Sequence, residues 1–163
     1  MAETIKIGIA DIAVSKDPNI ITTLGLGSCI GIAMYDPQTK IGGLVHVMLP
    51  DSTKIRAGAS ANAAKFADTG IQKLLDMMLK AGASKSRITA KIAGGAKMFA
   101  VSGSSDVGNV GDRNAEASRA KLKALGIRIV GDDCGANYGR TVELHCADGK
   151  YVIKAVGKPL RTL

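Results

Sequence analysis

The chain has 163 residues, 46% of them hydrophobic and 22% charged, with a formal net charge of +8. That length suits one domain with a buried core, and the composition excludes a disordered chain. With no Trp, 3 Tyr and 2 Phe, the core must be aliphatic, and few rings are left to stack on nucleic-acid bases.

In chain order, residues 4–10 alternate Ile5, Ile7 and Ile9 with polar or small residues, the period of a half-buried strand. Residues 11–15 are expected to continue that strand past a bend or to pair with it. Asp17-Pro18-Asn19 is a turn, and the β-branched residues 20–24 form a strand that runs into a bend at Gly25 and Gly27. Residues 29–35 and 40–49 make the clearest hairpin, joined by Asp36-Pro37-Gln38-Thr39, whose Asp and Pro suit the first two positions of a type I turn. A tight turn there places Tyr35 opposite Lys40, Ala33 opposite Gly42, Gly31 opposite Leu44, and Cys29 opposite His46. One face then carries Ile30, Ile32, Met34, Ile41, Val45, Val47 and Leu49. The other carries Cys29 and His46 beside the small residues Gly31, Ala33 and Gly42. A slip of one residue would exchange the two faces.

Residues 51–62, rich in small and polar types, are expected to form a loop beside the His46 end of the sheet. The stripe Ala67, Ile71, Leu74, Leu75 and Met78 predicts a helix over 63–80, with Gly82 as its stop. Residues 88–93 read as a strand ending at Gly94-Gly95; without a P-loop Lys-Ser/Thr pattern, the glycines point to close packing rather than phosphate binding. A Ser/Gly-rich loop over 100–107 precedes a helix over 113–125, capped within 109–112 and stopped by Gly126. A strand over 127–130, a turn over 131–137, a second hairpin from 140–146 and 151–156, and a loose tail over 157–163 complete the chain. The predicted fold is a layered α/β (α+β-like) sandwich, a single domain over residues 1–163 with a mixed, mostly antiparallel sheet and two main helices.

The chemistry centres on Cys29. A thiol on a Gly-Ser bend can be a nucleophile, although free cysteines are also common core residues. The chain has 2 histidines. The hairpin puts His46 opposite Cys29, where it could stabilise the thiolate as an ion pair or take its proton during attack. His145 adjoins Cys146, but neighbouring strand residues point to opposite faces, so it reads as structural or surface. A hydroxyl of Thr22 or Thr23 could orient the imidazole, and backbone N–H groups around Gly27, Ser28 and Cys29 could bind an oxyanion. This constellation fits acyl transfer at an amide or ester and does not by itself identify the substrate. The 3 cysteines show no metal-ligand spacing. Without an apolar run of membrane-span length or the apolar core of a signal peptide, a soluble, reducing compartment is expected, with free thiols and no direct membrane insertion. The dispersed basic residues argue against nucleic acid and suit an acidic protein partner.

Thr23-Leu-Gly-Leu-Gly-Ser-Cys29 followed by His46-Val-Met-Leu-Pro50 resembles the signature of the chemoreceptor glutamine deamidases, the CheD family. Lys65-Phe-Ala-Asp68, Ala90-Lys-Ile-Ala-Gly-Gly-Ala96 with Met98-Phe99, Gly111-Asp-Arg-Asn114, and Asp133-Cys-Gly-Ala136 with Gly139-Arg140 resemble further family segments in order along almost the whole chain. Ala136 stands where a second Gly is usual. The resemblance implies a fold similar to deamidating toxin domains, and a cytoplasmic hydrolase that needs no cofactor and no metal. It implies Cys29 as nucleophile, His46 as base and acid, and Thr23 as the third catalytic position. The implied substrate is a glutamine on the cytoplasmic helical region of methyl-accepting chemotaxis receptors, and the implied partner is the phosphatase CheC. Two alternatives share the residues or the partners: a glutamate methylesterase on the same receptors, and a non-catalytic regulator that binds CheC or receptors.

Overall fold

The computed structural model describes residues 2–52, 62–97 and 110–163. Two five-stranded sheets pack face to face. The first contains β1 (Thr4–Lys6), β3 (Ile20–Leu26), β8 (Arg140–His145), β9 (Tyr151–Lys154) and β10 (Arg161–Thr162), in that spatial order. The second runs β2 (Ile12–Lys16), β5 (Ile41–Val47), β4 (Ile30–Asp36), β6 (Thr89–Gly94) and β7 (Arg128–Cys134). Among these strands β1–β3 and β6–β7 pair in parallel, and the other neighbours are antiparallel. Helices α1 (Ala67–Lys80) and α2 (Val110–Ala124) cover the outer face of the second sheet. The expected layered, mixed, mostly antiparallel sandwich with two main helices is therefore what forms, with two sheets in place of one.

The alternation in the central hairpin creates two cores. Ile30, Ile32, Met34, Val45 and Val47 pack under Ile71, Leu74 and Met78 of α1 and Leu122 of α2. The opposite faces, through Ala33 and Leu44, meet Ile21, Leu26, Val142, Leu144 and Tyr151 of the first sheet. These side chains are nearly all aliphatic and almost wholly buried, and burial on this scale stabilises by roughly 1.5–3 kcal/mol per large side chain.

Several expectations are corrected. The hairpin closes on Asp36 and Ile41, so Gly31 faces His46 and Ile30 faces Val47. Lys40 takes a left-handed conformation (φ 55°) and its N–H bonds to the Asp36 carbonyl at 2.8 Å, which makes the turn wider than assumed. The shift is two residues, one side-chain period, so both faces keep their members. The buried Asp36 carboxylate anchors the turn. It accepts from Arg87 at 3.0 and 2.9 Å and from the Ser84 and Gln38 N–H groups. Burial opposes its ionisation, but these bonds outweigh that and hold it well below the usual carboxylate range.

Residues 12–16 neither continue nor pair with the first strand: Ala10 turns left-handed (φ 58°), and the chain crosses to β5 of the other sheet. Helix α1 begins at Ala67, because Phe66 is extended and bridges Leu49 in a short parallel pairing. A 3-10 turn, Ala63–Lys65, precedes it. Helix α2 begins at Val110, ahead of residue 113. Residues 131–134 are strand rather than turn, since the exposed edge of β6 offers partners as far as Gly94↔Cys134. The tail is not loose. Arg161 and Thr162 pair with β9, Leu163 exchanges backbone bonds with Tyr151, and Arg161 pairs with Asp133. Most of the expected 51–62 loop, the 100–107 loop and the cap at Asn109 lie outside the described residues.

Candidate active site

Strand β3 of the first sheet carries Thr23, β5 of the second carries His46, and the bend joining β3 to β4 carries Cys29. His46 points from β5 into the layer between the sheets and is fully buried. With Gly31 directly opposite, Cys29 becomes its diagonal neighbour on the same face rather than its direct partner. Diagonal neighbours lie roughly 7–8 Å apart at Cα, still within mutual reach of side chains.

Thr23 Oγ1 lies 2.8 Å from His46 Nδ1 and 3.0 Å from the Ile7 carbonyl oxygen. A hydroxyl has one proton to give, and a carbonyl can only accept. The proton therefore goes to Ile7, and Thr23 accepts from Nδ1–H. That assignment leaves the lone pair on Nε2, the form a general base needs. Nε2 is buried and has no hydrogen-bond partner among the described residues. Burial lowers the imidazole pKa from 6.5 to about 4, so the ring is neutral at neutral pH. Cys29 is half-buried, and desolvation raises its thiol above the ordinary 9.0, partly offset by its own backbone N–H. Of the two modes open from sequence, a resting thiolate–imidazolium pair is thus disfavoured. The neutral pair suits proton transfer during attack.

Every carbonyl of the bend is held. Gly27 O accepts from Ala96 N–H at 2.8 Å, Ser28 O from Asn114 Nδ2 at 2.8 Å, and Cys29 O from Gly95 N–H at 2.9 Å. The Gly27 N–H bonds back to Gly25 O at 3.0 Å. It is therefore committed within the bend, contrary to its expected part as an oxyanion donor. The N–H groups of Ser28 and Cys29 have no backbone acceptor among the described residues. The Gly-Gly turn serves packing: Gly94 has φ +117°, and a Cβ there would run into the Cys29 carbonyl oxygen.

Two supports escaped the reading of residue types. Asn114 is wholly buried on the stripe of α2 shared with Gly111, Ala115, Ser118 and Leu122. Arg140 of β8 is buried and bonds Asp133 at 3.0 Å, Gly135 O at 3.0 Å and Gly94 O at 3.3 Å, tying the first sheet to the second beside the bend. A polar residue on an otherwise buried helical stripe was the available signal for Asn114. Thr22 turns away and donates to Val142 O at 2.7 Å. His145 sits at the surface, 3.3 Å from Glu143, as its place on the strand implied. Among the described residues no group of His, Cys, Asp and Glu could hold a metal ion.

The model of a family described as CheD chemotactic sensory transduction matches residues 48–155. A probable chemoreceptor glutamine deamidase CheD of Lachnoclostridium phytofermentans is 54% identical over 163 residues, 100% of both chains. Its counterpart in Caldanaerobacter subterraneus subsp. tengcongensis is 50% identical over 156 residues, covering 96% of this chain and 95% of that one. Among solved structures, Neisseria meningitidis protein NMB0706 aligns with a TM-score of 0.48 at 12% identity, over 83% of this chain and 64% of that one.

Proposed function

Because the chain belongs to the CheD family, we propose that it hydrolyses glutamine side chains of methyl-accepting chemotaxis receptors to glutamate, with Cys29, His46 and Thr23 as its catalytic residues. The observation that carries the site assignment is the Thr23–His46 bond of 2.8 Å, which leaves a buried, unpartnered Nε2 on the face shared with Cys29. Cys29 Sγ attacks the carboxamide carbon while its proton passes to Nε2. Ser28 and Cys29 N–H groups receive the oxyanion. As the oxyanion collapses, the C–N bond breaks and Nε2–H protonates the leaving nitrogen, which departs as ammonia and leaves a thioester. Nε2 then takes a proton from water as the water attacks, and the thiol leaves with that proton. The chemistry draws on no cofactor.

The net charge of +8 favours association with an acidic receptor surface. A cytoplasmic place of action and a CheC-type phosphatase as partner follow from the family resemblance. Among the described residues no helix is long and apolar enough to cross a membrane.

Peptide mass spectrometry of a receptor cytoplasmic fragment tests the reading. Wild type is expected to convert specific glutamines to glutamate, and Cys29→Ala to leave them intact. Persistent conversion by Cys29→Ala would remove the nucleophile assignment. Glutamines left unchanged by a wild type that binds the fragment would refute the deamidase reading for that receptor. A methyl-esterified fragment in the same assay separates ester from amide hydrolysis.

A further inference from the structure

We infer that Asn114 is the positioning residue of the oxyanion hole: by holding the Ser28 carbonyl, it aims the Cys29 N–H at the reacting carbon's oxygen. The inference rests on Cys29 acting by acyl transfer, not on the receptor being the substrate.

In a planar trans peptide the C=O and the following N–H point in opposite directions. The only cis bond among the described residues is Asp17–Pro18, so both peptides of the bend are trans. Fixing Ser28 O therefore fixes the direction of Cys29 N–H, and fixing Gly27 O fixes that of Ser28 N–H. Ala96 N–H holds the second of these carbonyls at 2.8 Å, and Asn114 Nδ2 holds the first at 2.8 Å. The Cys29 N–H therefore points away from Asn114 of α2, and the Ser28 N–H away from Ala96. The Cys29 N–H belongs to the residue that carries the attacking sulfur, so the oxygen of a tetrahedral intermediate on that sulfur forms close to it.

The second amide hydrogen of Asn114 extends the effect. Nδ2 also donates to Met48 O at 2.8 Å, just beyond β5 and its His46. One nitrogen thereby ties the nucleophile's bend to the histidine's strand. Its Oδ1 is buried and accepts nothing among the described residues. Leaving a buried acceptor unpaired is costly, and a helix that needed only packing there would be better served by Leu or Ala. The two donor bonds account for an amide at this position. Asn114 touches neither the thiol nor the imidazole through any hydrogen bond, so its influence on chemistry runs through the Ser28–Cys29 peptide.

Two reactions of the same thiol separate this role from general support. Acylation of Cys29 by p-nitrophenyl acetate passes through an oxyanion; alkylation by iodoacetamide is a direct displacement at carbon and forms none. Both are followed at Cys29 by peptide mass spectrometry in the folded full chain. In Asn114→Ala the acylation rate is expected to fall roughly a hundredfold relative to wild type, with alkylation changed less than about threefold. Asn114→Ser, which retains one donor, is expected to lie between and provides the test if the alanine variant does not fold. Parallel loss of both reactions would make Asn114 a general support of the bend and overturn the inference, as would acylation at the wild-type rate or a wild type that is not acylated at all. A wild type that is acylated yet leaves receptor glutamines unchanged contradicts the deamidase proposal alone.

Discussion

In the proposed mechanism, single atoms of Thr23 and His46 decide the chemistry. Replacing Thr23 by Val keeps the shape and removes the acceptor of Nδ1–H, leaving Ile7 O without its donor. The imidazole can then adopt the other tautomer, with its proton on Nε2. Deamidation by Thr23→Val is expected to slow about tenfold or more, the scale of one buried hydrogen bond, while Thr23→Ser restores most of the rate. Equal rates for valine and wild type would show that the hydroxyl does not orient the base.

His46 also imposes a pH dependence on stability. Its pKa is about 4 in the folded protein against 6.5 for the free side chain. Above pH 6.5 the ring is neutral in both states and the folded protein keeps its full stability. As the pH falls from 6.5 towards 4, the unfolded chain takes up a proton that the folded site refuses, so stability declines, and below 4 this contribution levels off. The loss is on the order of 3 kcal/mol. Denaturant unfolding at pH 7 and pH 4.5 should show a steeper loss for wild type than for His46→Gln; parallel losses would contradict the buried neutral imidazole. Carboxylates such as Asp36, held low by their partners, lose their contribution only below this window.

Among the elements, the central hairpin and the Gly94-Gly95 turn set the site. The hairpin faces were legible because the alternation of Ile30, Ile32 and Met34 with small residues has the period of a strand. Its register was not, because the left-handed Lys40 that widens the turn has no compositional mark. Gly94 carries two demands at once, a φ of +117° and close contact with the Cys29 carbonyl, whereas at Gly126, with φ +75°, an added Cβ would meet nothing within 4 Å. Gly126→Ala therefore meets backbone strain of about 1 kcal/mol and should keep its deamidation rate. Gly94→Ala adds a clash with the Cys29 carbonyl oxygen and should lose about 2 kcal/mol or more together with most activity. Thermal unfolding and glutamine conversion, measured on both variants, check the contrast.

Across the whole molecule, the site depends on how two sheets are held together. Arg140 reaches from the first sheet to Asp133 and Gly94 of the second while almost completely buried. Its loss would strip a buried carboxylate of one partner and leave Gly94 O and Gly135 O short of a donor. Arg140→Ala is expected to cost about 3 kcal/mol. Arg161→Ala, which removes a half-exposed partner of the same Asp133, should cost about 1 kcal/mol or less. Chemical denaturation of the two variants distinguishes a strut between sheets from a surface ion pair.

The candidate nucleophile and base, the layered class and the family could be read from residue order alone. Strand alternation and turn chemistry are local, and the Cys29 and His46 segments lie close together in the chain. The partition into two sheets, the docking of the tail on β9, the hydrogen bond between Thr23 and His46, and the contacts made by Asn114 and Arg140 were decided by the tertiary structure. Each is a contact between segments distant in the chain, where adjacent residues differ only in which face they present. The protonation state belongs to the same group: the His46 imidazole is neutral because packing between the sheets removes water from it, and no spacing of residues expresses that burial.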